Sequence, residues 1–185
     1  MAAFVGALLC QASDRTAWLS AIMADRYQKP ATIIIATIIA LVAGNSLGAI
    51  AGLLMAPIMT PNARALFLAI ALVSAGSSAL FALKPPDRMA GWRIGAFATT
   101  LVALLAVGVG DRTQFLTAAI TVRTPEAAPF AVIGSILGSL AVIIPAILAG
   151  ENRYRTLPHR PIRLAIGIVL IVTGIAFGLG ALRLV

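Results

Sequence analysis

The chain has 185 residues, 61% of them hydrophobic and 11% charged, with a formal net charge of +8 and a mean hydropathy of +1.02. A soluble domain of this length carries about a quarter charged residues, so a soluble globular fold is excluded. Apolar runs this long and uniform also lack the alternation of a membrane β-barrel, which leaves an all-α integral membrane protein. At roughly 20 residues per span there is room for about six helices and short loops, with no soluble domain beside them.

In chain order the expected spans are Ala2–Ala24, Ala31–Met55, Ala65–Leu83, Trp92–Val122, Ala127–Gly150 and Ile162–Leu182. Met1 to Leu9 has no positively charged n-region, so neither a cleaved signal peptide nor lipoprotein processing at Cys10 is expected. Cys10 is the single cysteine, and no intrachain disulfide can form. Turn chemistry punctuates the spans around Asp25–Pro30, Thr60–Arg64, Lys84–Arg88, Arg123–Glu126 and Glu151–Pro161. Pro57, Pro129 and Pro145 mark helix ends or kinks. The stretch from Gly134 to Gly138 is a small-xxx-small packing pattern. His159 reads as a solvated residue of a basic loop.

The basic residues sort by side. Arg26, Lys29, Lys84, Arg88, Arg93, Arg153, Arg155, Arg160 and Arg163 follow the odd spans, whereas only Arg64, Arg123 and Arg183 follow the even ones. This asymmetry makes the first side cytoplasmic and turns both termini outward. It accounts for the net charge without a nucleic-acid partner. Tyr27, Trp92 and Tyr154 fall at the cytoplasmic ends, where amphipathic rings prefer to sit.

Of the six acidic residues, Asp25, Asp87, Glu126 and Glu151 have polar or Pro-containing neighbours and read as loop residues. Asp14 and Asp111 do not. Each opens the tripeptide Asp-Arg-Thr, at residues 14–16 and 111–113, inside an otherwise apolar span. A carboxylate there costs several kcal/mol by rough estimate and marks a functional site. Residues 14–26 and 111–123 align without gaps, matching also at Leu19/Leu116, Ala21/Ala118 and Arg26/Arg123, with Ser20/Thr117 and Trp18/Phe115 similar. The pattern predicts two three-helix repeats, 1–84 and 92–185, joined by a cytoplasmic linker at 85–91. Three spans per half make the second repeat inverted, and such repeats place a site near the midplane. Ala2–Leu9 is too short to span, so the first helix is expected to run on through its tripeptide, and the fourth by analogy.

Asp supplies a hard anionic oxygen and Thr a hydroxyl, ligands suited to calcium, magnesium or manganese. One Asp from each half neutralises a dication. Without it, burial and like charge favour protonation, so exchange of a dication for protons follows. Arg15 and Arg112 either cancel these charges in internal salt bridges or, pointing about 100° away on a helix, face another element. Asn45, Ser46, Ser135 and Ser139 are weaker candidates for a cavity lining, and Gly108 and Gly110 for a bend. Nothing resembles a nucleophile motif, a phosphate loop or a Cys/His cluster, so no enzyme activity is expected.

These motifs resemble those of the Gdt-one type family, the Golgi and bacterial manganese/calcium cation–proton exchangers. Their hallmark is Glu-x-Gly-Asp-[Lys/Arg]-[Thr/Ser], once in each three-helix half. Here the copies run from Gln11 to Thr16 and from Gly108 to Thr113, with Gln114 after the second and Asp25-Arg26-Tyr27 leading to Pro30 after the first. The resemblance implies an inner-membrane cation/proton antiporter, with no permanent cofactor and with lipid, divalent cations and protons as partners. A homodimer is compatible with it. Asp14 and Asp111 would be the metal ligands, with Thr16, Thr113 and Gln11 auxiliary, and Arg15, Arg112, Gly110 and Gln114 supporting the site. The chain departs from the hallmark at Gln11 and Gly108, which replace both Glu, and at Ser13, which replaces a Gly. Two alternatives stand beside antiport: a non-transporting structural or regulatory membrane subunit, favoured by the missing Glu, and transport of a small organic ion held by Arg15 and Arg112.

Overall fold

The computed structural model describes residues 1–12, 14–81, 86–87, 91–92, 94–108 and 110–182. Ser13, most of the linker expected at 85–91, and four of the basic residues used for topology (Lys84, Arg88, Arg93, Arg183) lie outside these. The described residues form helices and contain no strand. They comprise α1 (Ala2–Ala12), α2 (Arg15–Tyr27), α3 (Pro30–Met55), α4 (Pro61–Leu80), α5 (Ala96–Gly108), α6 (Arg112–Arg123), α7 (Ala128–Thr156) and α8 (His159–Ala181), with single 3₁₀ turns at Ala56–Ile58 and Pro125–Ala127. The order short, short, long, long occurs twice.

The starts and stops follow local chemistry. Gln28 adopts a left-handed conformation (φ 52°) and its N–H caps α2 on the Ala24 carbonyl. Pro30 then opens α3, where a missing N–H costs nothing. Thr60 caps α4 by accepting the Ala63 N–H, again with Pro at the first helical position.

Neither tripeptide sits within a continuous helix, which corrects the expected spans Ala2–Ala24 and Trp92–Val122. The chain leaves the helix before Asp14, whose backbone is extended (φ −112°, ψ 165°). It does so again at Gly110 (φ 75°) and Asp111 (φ −63°, ψ 150°). The reason is chemical: Asp competes with the helical backbone for hydrogen bonds and favours an N-cap over a helix interior. Among the described residues, four helices are long and apolar enough to cross a membrane singly, namely α3, α4, α7 and α8. The pair α5 and α6, bent by 61°, gives up to five, while α1 is shorter than a crossing.

Three smaller readings are corrected as well. Asp25 lies in the last turn of α2, not in a loop, and its Oδ2 accepts the Glu151 N–H at 2.6 Å. Glu151 belongs to α7, which continues to Thr156 past a break at Gly150 (φ 75°, ψ 171°). A Cβ on Gly150 would lie 2.5 Å from the Asp25 carboxylate. His159 is half-buried; it stacks on Trp18 with ring centroids 6.2 Å apart, and its Nε2 lies 2.6 Å from the Tyr154 carbonyl.

Packing crosses between the halves. The short helices α1 and α2 pack on α7, whereas α5 and α6 pack on α3; α4 packs on α8. Close approach depends on small residues, as expected where lipid removes the hydrophobic drive between helices. A Cβ on Gly138 would collide with the Phe4 carbonyl of α1, confirming the packing role of the 134–138 pattern. Gly76 of α4 faces Gly167 of α8 in the same way. One core gathers Leu19, Met23, Ile33, Leu104, Ile143 and Ile147 around α2, and another gathers Cys10, Leu68, Leu72, Leu116 and Leu170 around α6. Large apolar side chains also cover the outside, including Ile35, Leu54, Phe130, Leu148, Val172 and Ile175. So extensive an exposed apolar surface marks contact with lipid.

Candidate cation site

The two helix breaks are built alike. The Asp14 N–H donates to the Gln11 carbonyl at 3.1 Å, and the Asp111 N–H donates to the Gly108 carbonyl at 3.0 Å. Both Asp residues then occupy the N-cap, of α2 and of α6. One turn further on, the Ser20 hydroxyl donates to the Thr16 carbonyl (2.9 Å) and the Thr117 hydroxyl to the Thr113 carbonyl (2.8 Å). Each break therefore offers a carboxylate at a helix N-terminus, which favours anions, beside the carbonyl end of a preceding helix, which favours cations.

Arg112 joins the two breaks. Its backbone N–H donates to Asp111 Oδ1 at 2.6 Å, while its guanidinium Nη2 donates to Asp14 Oδ1 at 3.0 Å. Asp14 is 8% exposed and its second oxygen accepts the Thr16 hydroxyl. Arg15, by contrast, is exposed and is not drawn into the site.

A cavity of about 20 Å³ lies between the second break and α3. That volume admits about one water-sized guest. Gln11, Thr16, Asp111, Thr113 and Gln114 line it together with Gly108, Thr37, Gly44 and Asn45. Asp14 adjoins it through its bond to Thr16. Gln11 is 1% exposed, and among the described residues neither side-chain Oε1 nor Nε2 has a hydrogen-bond partner. An orphaned buried amide is costly, and it sits where a polar guest would satisfy it. Among the described residues no group of three His, Cys, Asp or Glu side chains forms a dedicated metal cage. A guest must therefore draw on neutral oxygens as well as carboxylates.

Of the weaker candidates, Asn45 and Ser135 enter one network: the Thr117 hydroxyl bonds Asn45 Oδ1 at 3.0 Å and lies 2.7 Å from Ser135 Oγ, tying α3, α6 and α7 together. Ser139 is buried without a partner among the described residues, and Ser46 does not line the cavity. Gly110 supplies the positive φ of the second break and no lining surface. The sequence reading missed Thr37 and Gly44. A signal was present in Gly44, Gly48 and Gly52, spaced four apart. A Cβ at Gly48 would lie 2.6 Å from the Gln114 carbonyl, so this stripe lets α6 approach α3 and brings Gln114 to the cavity.

Two matching breaks, each carrying one copy of the tripeptide, agree with the comparison to known families. The family described as divalent cation/proton antiporter GDT1 matches residues 1–86 and 96–183, one tripeptide in each segment. The chain belongs to this family. Among similar proteins, a Vibrio cholerae serotype O1 protein named "Putative manganese exporter" is 28% identical over 159 residues, covering 84% of this chain and 78% of its own length. No solved structure matches the chain. This GDT1-family chain is thus a multi-pass membrane protein of the divalent cation/proton antiporter class.

Proposed function

We propose that the chain exchanges manganese, with calcium as the other candidate ion, for protons across a bacterial inner membrane. The convergence of Asp14 and Asp111, one from each half, on Arg112 beside the small polar cavity carries this reading. In the proposed cycle a dication meets Asp111, with Gln11, Thr16, Thr113 and carbonyls from the breaks completing its oxygen shell. Arg112 releases Asp14 as the cation takes over its charge. On departure of the cation Asp14 returns to Arg112 and Asp111 takes up a proton, since two buried like charges do not persist side by side. The protein itself is proposed to carry no permanent cofactor and to catalyse no covalent chemistry.

The same proposal counts α1 with α2, and α5 with α6, as broken spans, giving six crossings in two inverted repeats with outward termini. End-to-end contacts support it. At one end Arg26 Nη2 donates to the Trp92 carbonyl, the Tyr27 hydroxyl to Thr99 Oγ1, and Arg163 to the Ala79 carbonyl. At the other, Arg123 covers the Phe177 ring at 4.8 Å. The chain then travels between these ends six times, and the basic-rich end corresponds to the cytoplasmic side. Broken helices whose ends meet at mid-depth are the usual construction of transporter sites.

A second reading, a non-transporting membrane subunit, is favoured by the Asp14–Arg112 ion pair together with Gln11 and Gly108 in place of Glu. Purified protein in liposomes carrying a pH dye separates the two. Manganese-driven proton movement, lost in Asp14→Asn and Asp111→Asn, is the result expected of the exchanger. Its absence from folded wild type would establish the subunit.

A further inference from the structure

A second site lies away from the helix breaks. An apolar cavity of about 530 Å³ opens between α1, α4, α6 and α8, walled by Leu9, Leu68, Leu72, Ile120 and Leu170. A second hollow of about 430 Å³ runs along α8 toward Asn62 and Ala181. The two share Arg123, Thr173 and Phe177, so they form one groove with two branches. Arg123 stands at the fork. Its guanidinium is held 4.8 Å from the centre of the Phe177 ring, and no carboxylate pairs with it among the described residues. Thr124, beside it, also lines the first branch, and Asn62 the second.

We propose that this groove binds one anionic diacyl phospholipid. Its acyl chains occupy the first branch, its phosphate rests on Arg123 at the end of α6, and its headgroup extends along the second branch toward Asn62. Three observations select that occupant over others. The first branch is walled by large apolar side chains, so it suits hydrocarbon and rejects water. The second branch leads to the helix ends at Asn62 and Ala181, where a headgroup reaches water. The charge at the fork is positive and fixed in place by an aromatic ring, and the Asn62 amide lines the second branch. A second copy of this chain would instead need an acidic group facing Arg123, and none of the residues lining the groove is acidic.

The test uses the full-length protein, purified in an uncharged detergent and stripped of lipid by extended washing. It is titrated with phosphatidylglycerol or with phosphatidylcholine of the same acyl chains, and retained lipid is counted by native mass spectrometry. One phosphatidylglycerol per chain should be retained in preference to phosphatidylcholine. Arg123→Gln should weaken phosphatidylglycerol retention about fivefold, in line with one basic residue at a membrane surface. Arg123→Lys should restore most of it. Thr173→Trp, which fills the fork, should reduce both lipids alike, with unchanged helix content by circular dichroism. Equal retention of the two lipids, or an Arg123→Gln variant that retains phosphatidylglycerol like wild type, would overturn the proposal. So would a lipid-free dimer that Thr173→Trp dissociates, since the groove would then be an interface between copies.

Discussion

Arg112 Nη2 lies 3.0 Å from Asp14 Oδ1, a contact between residues 98 apart in the chain. The side chains are only 15% and 11% exposed, so water screens the pair weakly. Removing one partner strands the other charge. Arg112→Gln should therefore lower stability by about 3 kcal/mol, the scale of an uncompensated buried charge. The double variant Arg112→Gln/Asp14→Asn should recover much of that loss. Thermal unfolding of wild type and the two variants in one detergent checks both values, and a double variant no better than Arg112→Gln would show that the pair is not coupled.

Transport should depend on both carboxylates as a unit. Asp14→Asn and Asp111→Asn are each expected to abolish manganese-dependent proton flux in liposomes, and the double variant to do no further harm, because each removes one half of the same two-carboxylate site. Partial losses that add would assign the two residues to separate structural roles.

Gln11 offers a neutral oxygen where the family hallmark has Glu. Gln11→Glu adds a carboxylate to a buried cavity, so cation binding then requires one more proton to leave. Manganese affinity should rise at alkaline pH and fall more steeply on acidification than in wild type. Metal titrations at several pH values, followed by intrinsic Trp fluorescence, measure this. Unchanged affinity and slope in a folded variant would place Gln11 outside the cation path.

The glycine stripe of α3 makes a separate prediction about packing. Gly48→Ala pushes a Cβ to within 2.6 Å of the Gln114 carbonyl, and the neighbour is backbone that cannot swing away. A loss of about 1–3 kcal/mol is expected, as for other overpacked contacts. Gly180→Ala on α8, where a Cβ meets nothing within 4 Å, should instead be neutral or gain up to about 1 kcal/mol from helix propensity. Melting temperatures of the two variants, compared side by side, decide the point.

Much of this was readable from the sequence because membrane energetics leave few choices. Apolar runs fixed the helical class, and the cost of intramembrane charge singled out Asp14 and Asp111. The helix breaks were missed because hydropathy averages over 20 residues and does not register one N-cap, although Gly110-Asp111 is itself a turn-and-cap signal. The Arg112–Asp14 pair could not be read, since no local rule relates residues in different halves. Asp25 looked like a loop residue because polar neighbours surround it. It lies in fact at the end of a helix and accepts the Glu151 N–H, a contact made 126 residues away.

The exposed position of Arg15 has a further consequence. Two motifs of nearly the same sequence occupy unlike environments, with Arg112 engaged across the halves and Arg15 facing outward. On the inverted-repeat reading proposed above, the molecule would have a counterpart arrangement in which the parts trade places, with Arg15 against Asp111 and Arg112 released from Asp14. The balance between the arrangements is then set only where the halves differ, and within the motifs the largest difference is Gln11 against Gly108. Those two substitutions would act as a counterweight, deciding which face of the bundle the resting protein opens.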